Sequence, residues 1–221
     1  MSQAEFHARY EQAHEECKAE LVDGTVFIAP PVIARHGQVT SMLIGIVGLF
    51  TMQTRGVTCL PNVTVIMGPS DEVQPDLALI VRPEYGGRTN TMLINEIEYL
   101  AGPPEFLVEI AHSTRSMELH VKRQSYMKNG IVEYLVICLE ESLTRWFDLA
   151  SDQPLSSDSG GILRIRSLPG LWINAAALFC DDHAALTKTI EAGLASPEHA
   201  EFVERLEAER VRIAAEQAKP R

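Results

Sequence analysis

The sequence predicts an α/β domain: a mixed β-sheet flanked by helices and entered through an N-terminal helix and a hairpin. Three observations carry this. Short apolar runs bounded by turn residues recur at 76–81, 106–111 and 133–139, each the length of a buried strand. Helical patterns accompany them over 36–54 and 113–129. The 221 residues, 46% of them apolar, suffice for one domain with a full core.

Residues 4–18 read as an acidic first helix. Runs at 19–22 and 25–29 flank Asp23-Gly24, a dipeptide that favours a tight hairpin turn, and Pro30-Pro31 ends the second run. From His36 to Thr54, the residues Val39, Met42, Leu43, Ile46, Val47 and Phe50 follow the spacing of a helix packed on a sheet. A strand is expected over 57–67, with Pro61 marking an irregularity, then a turn at 68–71 and a strand at 76–81. Residues 82–102 are polar and punctuated by Gly and Pro, which predicts a long loop with a short helix near 91–99. In 106–111 the side chains of Phe106, Val108 and Ile110 face one way, and those of Leu107, Glu109 and Ala111 the other. Ser113-Thr114 can cap a helix running to 129. Further strands are expected at 133–139, 144–149 and 162–167, and residues 168–179 close a domain spanning 1–180. Residues 181–221 are charged and helix-prone, with Phe202, Leu206 and Ile213 as sparse apolar points. They predict a C-terminal helical tail, either exposed or an oligomer contact.

Composition narrows the function classes. No apolar run approaches the roughly 20 residues of a membrane helix. The N-terminus lacks the basic start and apolar stretch of a signal peptide. A cytoplasmic protein with no membrane partner is therefore expected. Cys17, Cys59, Cys138 and Cys180 form no CxxC spacing and have no His cluster beside them, which argues against a zinc site or a disulfide framework. The formal net charge of −11 argues against broad, non-specific attraction to nucleic acid. The charge is uneven, however: Arg115, Lys122, Arg123 and Lys128 lie close together with Glu118 the one acid among them.

Two carboxylates stand out because of where they sit. Asp76 follows Gln74-Pro75, where proline holds the preceding chain extended, and opens an apolar strand. Glu109 lies inside the apolar run 106–111, where a carboxylate is costly unless paired or bound to metal. Two such acids at corresponding ends of neighbouring strands can converge on one divalent cation, and Mg²⁺ favours oxygen ligands. Lys122 has two readings. It shares a helix face with Glu118, an ordinary salt bridge, or it points back over the end of strand 106–111 beside Glu109, where it could orient water or offset phosphate charge. His36 begins its helix, either reaching substrate or serving as a capping histidine.

The order Glu20-Leu-Val-Asp-Gly24, His36-Gly-Gln, Gln74-Pro-Asp76-Leu-Ala, Pro104-Glu-Phe-Leu-Val-Glu109-Ile, Lys122 with Tyr126, and Gly130-Ile-Val-Glu-Tyr134 resembles the Uma-two family over residues 10–180. That is a bacterial group of endonuclease-like proteins with the PD-(D/E)xK, restriction-endonuclease-like fold. The resemblance implies that Asp76 is the PD aspartate and a metal ligand, that Glu109 is the second acid, and that the Ile110 carbonyl is a further ligand. The lysine usually found two residues after the second acid is absent, since Ala111 stands there, and Lys122 on the following helix takes that place. Glu20 matches the family's early acid. Family members usually carry Asp where this chain has Glu118, which puts a site role for Glu118 in doubt.

The resulting expectation is a Mg²⁺- or Mn²⁺-dependent endonuclease acting on DNA, with Asp76, Glu109, Lys122 and Glu20 as its catalytic set and homodimerisation implied by the resemblance. Two alternatives stay open: a catalytically inactive nuclease-fold module for binding or assembly, and a metal-dependent hydrolase of small phosphates or nucleotides.

Overall fold

The computed structural model describes residues 1–13, 17–112 and 116–219. The chain opens with α1 (Gln3–Tyr10), capped by the Ser2 hydroxyl, and the hairpin β1 (Ala19–Val22) and β2 (Thr25–Ile28). Asp23 and Gly24 both have positive φ, 49° and 76°, the backbone of the hairpin turn their sequence favours. Then come α2 (Ala34–Gln53), β3 (Val57–Pro61), β4 (Val65–Gly68), β5 (Asp71–Val73), β6 (Leu77–Val81), β7 (Asn90–Ile94), β8 (Ile97–Ala101) and β9 (Phe106–Ala111). A π-helical segment, Met117–Lys122, leads into α3 (Arg123–Lys128). The remainder is β10 (Glu133–Cys138), β11 (Leu143–Asp148), β12 (Gln153–Leu155), β13 (Ile162–Arg164), β14 (Trp172–Asn174), α4 (Ala175–Cys180), α5 (His183–Leu194) and α6 (Pro197–Gln217).

The strands form two mixed sheets, ordered β2-β1-β5-β4-β8-β7 and β12-β11-β10-β9-β6-β3, and a small pair β13-β14. In the second sheet β9 and β10 run parallel, while β6 runs antiparallel to β9. The alternation in 106–111 separates two cores. Phe106, Val108 and Ile110 pack with α2 residues such as Leu43, Val47 and Phe50. Leu107 and Ala111 pack on the other face with Val22, Val65 and Val73 of the first sheet and with Tyr126. The second sheet is therefore covered by helices on one side and by the first sheet and α3 on the other. That accounts for its continuous burial in β6, β9 and β10.

Several expectations need correction. The first helix stops at Tyr10, well short of 18. The run 57–67 is two strands in different sheets, broken at Asn62, whose φ is 50°. Residues 90–101 hold no helix. They form the hairpin β7–β8, turning through Asn95 and Glu96, both with positive φ, because the β-branched and aromatic residues on either side suit a pleated strand. β5 was not foreseen. The Ser113-Thr114 cap lies outside the described residues. Beyond 181, Leu186, Ile190, Phe202 and Leu206 belong to the same apolar core as α2, while the second half of α6 lies largely in solvent. Among the described residues, no helix is long and apolar enough to cross a membrane.

Candidate active site

The register of β6 against β9 brings the two acids together. Leu77 lies opposite Val108 and Ala78 opposite Leu107, so one step further sets Asp76 level with Glu109. Asp76 is locked there by the Ile110 amide, which donates to Oδ2 at 2.7 Å. The same site draws on the first sheet. Glu20, in β1, accepts from the Gln74 amide through Oε1 at 2.7 Å and meets the Lys122 ammonium through Oε2 at 2.7 Å.

Lys122 is the hub. Its Nζ donates to Glu109 Oε1 at 3.0 Å and lies 3.4 Å from Glu118 Oε2. The Glu118 contact is a charge contact, because Oε2 has no hydrogen-bond partner among the described residues. One turn beyond Lys122, the Tyr126 hydroxyl donates to Glu109 Oε1 at 2.7 Å. His36, in the first turn of α2, places Nε2 3.2 Å from Asp76 Oδ1, and its other nitrogen lies 3.3 Å from the Thr40 hydroxyl.

Glu20, His36, Asp76, Glu109, Glu118 and Lys122 form the floor of a cleft of about 290 Å³ walled by Phe27, Ile28, Pro30, Pro31, Val32 and Ile33. Glu20, Asp76, Glu109, Glu118 and Lys122 are each 3–7% exposed. The structure thus brings together Glu20, Asp76, Glu109 and Lys122, with the Ile110 backbone alongside. It also brings in Glu118, whose side chain faces the cleft, and Tyr126, to which no role was assigned from sequence. The available signal for both was their spacing of four residues either side of Lys122. His112 reaches the same cleft, with Glu140 3.1 Å away.

Burial and mutual repulsion set the protonation states. Burial drives the Glu109 carboxyl well above its ordinary value, outweighing the pull of Lys122, and Glu118, Asp76 and Glu20 push the same way. Burial likewise raises Glu118 to about 7, again against the attraction of Lys122. Burial alone would lower Lys122, but Glu109, Glu118 and Glu20 hold it well above the usual lysine range, so the ammonium is charged at any ordinary pH.

Glu20, Asp76, Glu109 and Glu118 crowd around one ammonium as an all-oxygen donor set, and burial with mutual repulsion makes Glu109 and Glu118 hold protons more tightly than usual. Among the described residues no three His, Cys, Asp or Glu side chains are already arranged around a single ion position. Mg²⁺ needs no such cage, since it commonly binds through one or two carboxylates and keeps its remaining waters. Asp76 and Glu109, side by side at a solvent-reached cleft, suit that mode.

A family model described as "Putative restriction endonuclease" matches residues 3–176. No curated protein matches the chain. Among solved structures, a "putative nuclease belonging to DUF820" from Anabaena variabilis is similar, with a TM-score of 0.63 and 15% identity over 81% of this chain and 98% of that one. At this identity the likeness establishes the fold, a mixed α/β architecture shared with that protein.

Proposed function

The chain belongs to the Uma2 family of restriction-endonuclease-like proteins, and from that membership we propose that it is a metal-dependent endonuclease that hydrolyses DNA phosphodiester bonds. One observation carries the reading: Asp76, just before β6, and Glu109, in the paired strand β9, stand side by side at the floor of a cleft, with a buried ammonium beside them. Asp76 and Glu109, with the Ile110 carbonyl, would hold Mg²⁺ or Mn²⁺, and Glu20 closes the cluster from the neighbouring sheet.

When bound, such an ion would lower the pKa of an attacking water and stabilise charge on the phosphate. The chain's own residues do the rest. The Ile110 amide fixes one oxygen of Asp76, leaving Oδ1 toward His36. Tyr126 and Lys122 both bond Glu109 Oε1, which orients that carboxylate. Lys122 contacts three carboxyl groups and offers a positive charge whose attraction to the phosphate grows as negative charge develops there in this low-dielectric site. The apolar walls limit water around the reacting groups.

The test is nicking of supercoiled plasmid in Mn²⁺ by the wild-type chain, Asp76→Ala and Lys122→Ala. Each variant is expected to lose about a hundredfold or more. Equal nicking by all three would point to a contaminant and remove the support. The acidic surface, with a net charge of −11, favours a second reading, a nuclease fold retained for binding without catalysis. Calorimetry with Mn²⁺ separates the two: heat of binding in the wild type that vanishes in Asp76→Ala supports the endonuclease.

A further inference from the structure

Taking the endonuclease reading as given, we infer that the substrate enters as a single nucleic-acid strand, with its bases against the apolar wall of the cleft and a flanking phosphate on Lys18. A second cavity, of about 310 Å³, adjoins the first and shares Lys18, Val32, His36 and Asp76 with it. Thr40, Ser41 and Asn62 line its far side. Asp76 therefore stands where two cavities meet, and a chain crossing that junction would extend into both.

Three features of this track select the ligand. The first is depth. The acids and Lys122 are nearly buried, so a scissile phosphate must be lowered into the cleft. A flexible single strand can do that, whereas a duplex, stiff over its length, presents its phosphates on a broad cylinder.

The second is charge. A duplex carries about twice the phosphate charge per unit length of one strand, and besides Lys122 the two cavities are lined by one Lys or Arg among the described residues, Lys18. Lys122 is already engaged by three carboxylates. Lys18 is partly exposed, forms no ion pair among the described residues, and donates only to the Asn62 side-chain oxygen at 3.0 Å. It is free to turn to a phosphate.

The third is the wall. Ile28 is 74% exposed and Val32 65%, an apolar surface left in water directly beside an acidic floor. Apolar planar faces complement the wall, while a phosphate beside the acids of the floor needs Lys18 and a bound cation to offset their charge. Those faces are open in a single strand and hidden in the stack of a duplex.

The experiment is fluorescence anisotropy of a labelled oligothymidylate, free or annealed to oligoadenylate, titrated with the full chain in Ca²⁺ to hold off hydrolysis. The wild type should bind the single strand at least about tenfold more tightly than the duplex. Lys18→Ala should weaken single-strand binding about tenfold and flatten its salt dependence by about 0.7 in slope, while Lys18→Arg keeps both. A double variant, Ile28→Ser with Val32→Ser, should also weaken binding while the chain's sedimentation stays unchanged. Equal or tighter duplex binding, no binding to either form, or an unaltered Lys18→Ala variant would overturn the inference. So would a double variant that dissociates a dimer of this chain without affecting the oligonucleotide, since a second copy would then be what covers the wall. Plasmid nicking that needs Asp76 but ignores Lys18 would leave the endonuclease standing and remove only this inference.

Discussion

Lys122 is 3% exposed and, among the described residues, is the one ammonium in contact with Glu20, Glu109 and Glu118. Removing one partner of a buried charge cluster is costly because the others lose their compensation. Lys122→Met is expected to destabilise the chain by about 3–5 kcal/mol at pH 8, and by less at pH 5, where the orphaned carboxylates can bind protons. Thermal melts at both pH values check this, and an equal loss at each would contradict it. Glu118 supplies the complementary case. Its folded value, about 7, exceeds its ordinary value of 4.5, so the native chain binds the extra proton and stability falls as pH rises through that window. Glu118→Gln cannot ionise and escapes that fall. Relative to wild type it should gain stability between pH 5 and pH 8, by at most about 3 kcal/mol. A difference that stays flat or declines across the window would sink the assignment. The residue scale was partly legible. Asp76 and Glu109 announced themselves as acids bound to apolar strands, and Glu20 was reached only through family resemblance. Glu118 was doubted as a site residue because the family usually carries Asp there, and nothing local distinguishes a carboxylate four positions from a lysine on a surface helix from one lining a cleft.

At the scale of elements, strands read well where both faces are buried. The β9 alternation maps directly onto two different cores. The hairpin β7–β8 read poorly because it is an edge with Leu93 and Ile97 exposed, so its apolar pattern had no single face. The π-helical winding at Met117–Lys122 has no composition signature at all, and such segments gather at functional sites. The start of α2 is held from outside. Arg35 donates to the carbonyl of Phe179 at 2.6 Å and pairs with Asp181 at 2.7 Å, anchoring the turn that carries His36 toward Asp76. Arg35→Ala is expected to cost about 1 kcal/mol and to speed amide exchange in the first turn of α2 more than in β9. Uniform exchange across both elements would show that Arg35 does not anchor that turn.

Across the whole molecule, the C-terminal helices complete the core. Leu206 is 5% exposed and packs in the cluster that includes Phe50 and Leu178. Leu206→Ala is expected to destabilise by about 2–5 kcal/mol, read by chemical denaturation, whereas Val211→Ala, 55% exposed, should change little. By itself the sequence determined which segments are strands buried on both faces, where the two strand-bound carboxylates lie, and that a lysine follows them within one helix. Those properties depend on neighbours in the chain and on a side-chain period. The tertiary structure alone decided that Glu20 from one sheet, Asp76 and Glu109 from the other, and Glu118 and Lys122 from a π turn share one buried point. That meeting is set by strand register and sheet-on-sheet packing, and these depend on contacts between residues far apart in sequence.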